Sequence, residues 1–129
     1  MFKNFNDTYG HEQGNKVLRS LAEINKEKTR NVDTVARYGG EEFVVVLPMA
    51  GEEQAYQVSE RVRIAVAEKH FEGNKETPIV KITISGGICS YPQYANNTVE
   101  LIYKADEALY KAKEEGRNRI YKHSEQKIK

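Results

Sequence analysis

Apolar residues along this chain alternate between helical and extended periods. Val17, Leu18, Leu21, Ala22 and Ile24 recur at helical spacing, which predicts a helix over residues 12–29 whose C-terminal half, EINKEKTR, is solvated. Two β-rich runs follow, residues 32–38 and 41–48, separated only by Gly39 and Gly40. Paired glycines supply the positive φ angles of a tight primed turn, so the two runs read as a hairpin. A second helix is predicted over 52–69, with Ala55, Val58, Val62, Ala65 and Val66 on one face, and the polar loop HFEGNKETP after it. The alternation of Val80, Ile82 and Ile84 predicts a strand with one buried face, ending at Gly86 and Gly87. Leu101, Ile102, Ala105, Ala108, Leu109 and Ala112 mark a third helix over 98–115, with Gly116 as its C′ residue, and a short strand over 119–122 ends the pattern. The tail from 124 to 129 is expected to be frayed.

The order helix, strand, strand, helix, strand, helix, strand is that of an α/β (α+β) sandwich. Such a sandwich normally has a strand before its first helix, and this chain begins where that strand is expected to end.

Composition narrows the function classes. At 129 residues the chain has the length of one domain, covering 1–123, large enough to bury a core without staples. Lys and Arg number 20 against 19 Asp and Glu, so no global field favours nucleic acid or an anionic membrane, and any phosphate binding must be local. A lone cysteine, Cys89, excludes an internal disulfide, suits a reducing compartment and is read as a small core residue. The longest apolar run, FVVVLPMA, is broken by Pro48 and too short to span a bilayer, and the N-terminus lacks the features of a signal peptide, which makes the expected location cytoplasmic.

Candidate chemistry sits at the glycine turn. Two adjacent carboxylates, Glu41 and Glu42, head an apolar strand. Strand neighbours point to opposite faces, so one metal ligand and one differently employed carboxylate is the simpler expectation; two solubilising charges at a surface turn is the alternative. Lys113 and Arg117, four residues apart, share a helix face and could grip one phosphate; they also fit the cations that a helix C-terminus favours. His11, His70 and His123 show no metal-ligand spacing.

FKNFNDTYGHEQGNKVL, ARYGGEEF, ISGGICSYP and KADEALYKAKEEGRNRI, in this order and at these separations, resemble the GGDEF family of diguanylate cyclases over nearly the whole chain. The resemblance implies a βαββαβ sandwich similar to adenylyl cyclase cores and polymerase palms. It also implies one GTP per domain and two domains facing each other as a homodimer, which condense two GTP into cyclic di-GMP with release of two pyrophosphates. Under it Glu41 is a ligand of Mg²⁺ (or Mn²⁺), Glu42 lies on the 3′-hydroxyl side, and Gly39 and Gly40 let phosphates approach the backbone. Phe2 and Lys3 match a phosphate-binding turn, Lys113 and Arg117 the grip on the terminal phosphate. Asn6 and Asn15 correspond to guanine contacts, with Leu18 beside the base. Asn15 departs from the usual Asp and offers one acceptor where Asp offers two, which opens a relaxed base choice and mixed cyclic dinucleotides. Arg30 and Asp33 match the RxxD site at which product inhibits, with Arg61 as helper.

The family's D-x-D, whose leading Asp is a metal ligand, falls just before Met1. The chain is therefore expected to be a piece of a longer protein with a sensory or dimerising segment upstream, to lack its first central strand, and to have little activity by itself. A non-catalytic cyclic di-GMP-binding module is the other reading.

Overall fold

The structure is a computed structural model in which residues 2–124 are described. The chain runs α1 (Phe2–Tyr9), α2 (His11–Lys28), β1 (Thr34–Arg37), β2 (Phe43–Val46), α3 (Glu52–Glu68), β3 (Phe71–Glu72), β4 (Ile79–Val80), β5 (Gly86–Ile88), α4 (Thr98–Glu114) and β6 (Ile120–Lys122). This is a mixed α/β fold whose strands pair in three two-stranded ladders: β1 with β2 and β3 with β4 antiparallel, β5 with β6 parallel. The described residues fall into two compact units, one made of 2–48 and 65–82, the other of 49–64 and 83–124. Among the described residues no helix is long and apolar enough to cross a membrane.

In the first unit the helical spacing of the sequence becomes a buried face on α2, made of Gly14, Val17, Leu18, Leu21 and Asn25. Each fully buried Val or Leu there is worth about 1.5–3 kcal/mol. Asn25 is tolerated because its Nδ2–H donates to the Leu21 carbonyl at 2.9 Å. Two elements were not expected. Residues 2–9 form α1, where Phe5 and Tyr9, one helical turn apart, bring their rings to 4.7 Å. The loop read as polar contains β3, whose buried Phe71 pairs with Val80 of β4.

The strand expected from Val80 to Gly86 forms only at its ends. Exposure alternates from Ile79 to Ile84 as the pattern requires, but residues 81–85 are in no ladder among the described residues. Side-chain alternation sets which face is buried; a ladder also needs a partner backbone.

In the second unit β5, α4 and β6 form a βαβ unit around Ile88, Ala108, Ala112 and Ile120. Both ends of α4 are capped. Asn97 Oδ1 accepts from the Glu100 N–H at 2.8 Å, and at the C-terminus the Arg117 N–H donates to the Ala112 carbonyl at 2.9 Å around Gly116, with φ 124°. Ser124, expected to belong to a frayed tail, donates Oγ–H to Glu52 Oε1 at 2.7 Å. Residues 125–129 of that tail lie outside the described residues.

Candidate functional site

Beyond the last β1–β2 pair, Arg37 with Phe43, the Tyr38 N–H donates to the Glu42 carbonyl at 2.7 Å and the Glu42 N–H to the Gly39 carbonyl at 3.0 Å. The reversal therefore runs from Gly39 to Glu42 with Gly40 and Glu41 at its centre, not through a two-residue turn of the glycine pair. The ladder register persists to Tyr38 and Glu42, which moves the bend one residue along the chain. Gly39 has φ 83° and Gly40 φ 21°, and Arg37 braces the turn by donating Nε–H to the Gly40 carbonyl at 2.9 Å. A Cβ at either glycine would meet nothing within 4 Å. Their requirement within the chain is conformational, and the space beside both α-carbons is open to another molecule.

Glu41 is exposed at the bend and Glu42 half-buried before β2. Because the strand starts at Phe43 rather than at residue 41, the alternation that would send the two side chains to opposite faces does not govern Glu41. Neither carboxylate has a hydrogen-bond or ion-pair partner among the described residues. Those residues hold no group of three or more His, Cys, Asp or Glu that could bind a metal alone. Mg²⁺ asks for less from a protein: one or two carboxylates, with phosphate oxygens and water completing its shell. Two uncommitted carboxylates on a glycine turn fit that demand.

Next to this hairpin lies a cavity of about 300 Å³ lined by Asn15, Leu18, Arg19 and Ala22 of α2, Val35 and Arg37 of β1, and Phe43 of β2. It brings together two residues singled out in the sequence, Asn15 and Leu18, one helical turn apart. The other five members carry no site signal of their own in the sequence, and three of them are polar or aromatic groups that could meet a ligand. Arg19 could have been found as the residue one turn beyond Asn15; Arg37 and Phe43 become neighbours only through the hairpin register. Asn6 lies on α1 outside this lining, and its Oδ1 is buried with no hydrogen-bond partner among the described residues, an acceptor left unused. Phe2 and Lys3 open α1, where backbone N–H groups have no intrahelical acceptor. A larger recess of about 500 Å³, lined by residues such as Gln13, Lys16 and His70, holds none of the expected site residues.

Lys113, Arg117 and Arg61 belong to the second unit. Lys113 is half-buried on α4. Arg117 lies past the helix end, so the helical i,i+4 argument does not hold for it; the capping turn brings its Nη1 to 3.5 Å from the Lys113 carbonyl. Arg61 is exposed on α3, and its side chain has no hydrogen-bond or ion-pair partner among the described residues.

The Arg30–Asp33 segment closes on itself. Arg30 donates Nε–H to both Asp33 oxygens at 3.1 Å, Nη2–H to Oδ1 at 2.7 Å and its backbone N–H to Oδ2 at 2.7 Å, while Nη2 also donates to the Pro48 carbonyl at 2.7 Å. The Asp33 side chain is fully buried and that of Arg30 half exposed. Asp33 thus faces inward, where both its oxygens hold Arg30, and the guanidinium is the part turned to solvent. Hydrogen bonds from the Arg30 side chain, then from its backbone, hold the Asp33 carboxyl below the usual carboxylate range. A depressed folded-state pKa adds stability that is present above the unfolded value of about 4 and is lost as pH falls through the folded value. Asp33→Asn should therefore lower the melting temperature at pH 7, and the deficit should shrink toward pH 2. Thermal unfolding at both pH values checks this; an equal deficit at both would assign the effect to packing.

Comparison with known proteins fits this geometry. Residues 1–119 match the family described as diguanylate cyclase, GGDEF domain. Diguanylate cyclase A of Treponema denticola is 46% identical over 121 residues, covering 92% of this chain and 32% of that protein. The chain spans a third or less of the length of the curated relatives it matches. Among solved structures, the active GGEEF domain of a diguanylate cyclase from Vibrio cholerae superposes with a TM-score of 0.85 at 32% identity, covering 95% of this chain and 76% of that one. The GGDEF domain of DgcB from Caulobacter crescentus, solved in complex with c-di-GMP, superposes with a TM-score of 0.86 at 32% identity, covering 95% and 72%. With its GGEEF turn, the matched span and these relatives, the chain belongs to the GGDEF domain family of diguanylate cyclases.

Proposed function

We propose that this domain condenses two GTP molecules into cyclic di-GMP. In each of two steps a 3′-hydroxyl oxygen forms a bond to an α-phosphorus, the bond to pyrophosphate breaks and the hydroxyl proton is lost, so two facing copies release two pyrophosphates. The observation that carries the reading is the adjacency of a cavity lined by Asn15 and Leu18 to a glycine turn that bears two uncommitted carboxylates. Guanine presents donors at N1 and N2; Asn15, an exposed residue of the cavity lining, carries an amide oxygen of the kind that edge needs, and Asn6 would add a second contact only if its buried Oδ1 became accessible. Glu41 would hold Mg²⁺ together with the triphosphate, where the ion supplies charge neutralisation. Glu42 stands on the side of the 3′-hydroxyl, and Lys113 and Arg117 grip the terminal phosphate.

Product feedback is the finer part of the proposal. Arg30, fixed from below by Asp33 and Pro48, would present its guanidinium to cyclic di-GMP, and Arg61 would add a second one.

The test is a transplant. Residues 1–119 replace the matching segment of the Treponema denticola relative, and the chimera is assayed with GTP and Mg²⁺ and titrated with cyclic di-GMP. Cyclic di-GMP and pyrophosphate are expected in a ratio of about one to two by the stoichiometry of two transfers. Product binding without synthesis by a folded chimera would instead establish a receptor.

A further inference from the structure

The turn that presents Arg117 is built from unfavourable backbone. Arg117 has φ 63° and Asn118 φ 48°, two consecutive non-glycine residues in the left-handed region, directly after Gly116 at φ 124°. Such conformations persist only where the surroundings over-determine them. Here the surroundings reach across 55 residues of sequence. Arg63 of α3 donates Nη1–H to Asn118 Oδ1 at 2.9 Å, and its other two donors, Nε and Nη2, bond the two oxygens of Glu60 at 2.9 and 2.8 Å. The Arg63 and Glu60 side chains are only 20% and 24% exposed, so this fork is partly shielded from water. From the other side the Asn118 N–H donates to Ser85 Oγ at 3.2 Å, and Arg119 Nε–H donates to the Arg117 carbonyl at 3.0 Å.

We infer that Arg63, oriented by Glu60, is a positioning residue that fixes the left-handed Arg117–Asn118 turn through the Asn118 amide and so aims the Arg117 guanidinium at the terminal phosphates of the nucleotide. The inference rests on the reading of Arg117 as a phosphate contact. A planar guanidinium is suited to this role because one edge grips a carboxylate in two bonds while the remaining nitrogen reaches an amide oxygen, a division that a lysine ammonium cannot hold in plane. Without the strut, Arg117 keeps its charge and its place in the chain but loses a single backbone conformation, and a misplaced contact binds phosphate less well.

Calorimetry of the full chain with GTP and with GMP, both with Mg²⁺, tests this, because only GTP carries the terminal phosphates. Arg63→Ala is expected to weaken GTP binding about tenfold, the scale of one charged hydrogen-bond contact, and to leave GMP binding unchanged. A general loss of fold would weaken both. Asn118→Gly keeps the positive φ accessible and removes the side chain that Arg63 holds, so it should lower the GTP-to-GMP affinity ratio likewise; it serves where Arg63→Ala does not fold. An unchanged ratio in either folded variant, beside a lowered ratio in Arg117→Ala, overturns the inference and leaves the phosphate reading standing. An unchanged ratio in Arg117→Ala, or no GTP binding by the unmutated chain, overturns both.

Discussion

Glu41→Gln should lower cyclic di-GMP formation by at least about a hundredfold, the scale at which loss of one preorganised electrostatic group acts on a charged transition state. The substitution keeps the size of the side chain and one oxygen but removes the negative charge. Glu41 is exposed at the bend and has no hydrogen-bond or ion-pair partner among the described residues, so no internal contact is broken and the fold should be untouched. Stability should therefore stay within about 0.5 kcal/mol, as for surface substitutions in general. Synthesis measured in the chimera described above, beside urea unfolding of the isolated chain, reads the two effects separately. Activity retained within a few-fold would show that Glu41 is a solubilising charge and that the metal carboxylate lies elsewhere.

How much of this was legible in the sequence depends on what kind of contact carries each element. The three long helices were predicted to within one residue of α2, α3 and α4, because apolar periodicity and end signals are local: Asn97 caps α4 and Gly116 ends it within the same stretch of chain. The short helix α1 was not predicted although Phe2, Phe5 and Tyr9 stand at helical spacing; eight residues fall below the length at which periodicity persuades. The β3–β4 hairpin was hidden because two-residue strands carry no alternation, and Gly73 and Pro78 at its turn read as loop.

The site divides along the same line. Asn15 and Leu18 could be paired on one helical face, and the carboxylates beside the glycines could be read as chemistry. Arg37 and Phe43 enter the cavity through cross-strand register, and the Arg63–Asn118 strut joins residues 55 positions apart. A long-range side-chain contact leaves no periodic trace. The RxxD spacing was visible, but its internal geometry was not: nothing in the four letters tells that Asp33 is buried and holds Arg30.

Gly87→Ala should be the most damaging of the glycine-to-alanine substitutions in this chain's second unit. A Cβ there would lie 2.2 Å from the Ala105 carbonyl oxygen, 2.2 Å from the Leu109 nitrogen and 2.9 Å from the Ala108 carbonyl carbon. All three are backbone atoms of α4, so no rotamer change relieves the clash and the helix must move away from β5. Overpacking of this kind costs about 3 kcal/mol, the upper end for an added methylene that backbone must absorb. For a chain of this size that lowers the melting temperature on the order of 10 °C. Gly86 supplies the contrast. Its Cβ would meet only the Ile120 Cδ1 at 2.7 Å, the far end of a flexible side chain, and Gly86→Ala should cost about 1 kcal/mol. Both glycines sit in the same three-residue strand, so loss of glycine flexibility is common to the two variants and the difference isolates the close approach of α4. Because α4 ends in Lys113 and the Arg117 turn, Gly87→Ala should also lower the GTP-to-GMP affinity ratio at temperatures where the variant remains folded, whereas Gly86→Ala should leave it unchanged. Equal melting temperatures for the two variants would mean that α4 does not rest on Gly87 as closely as these distances require.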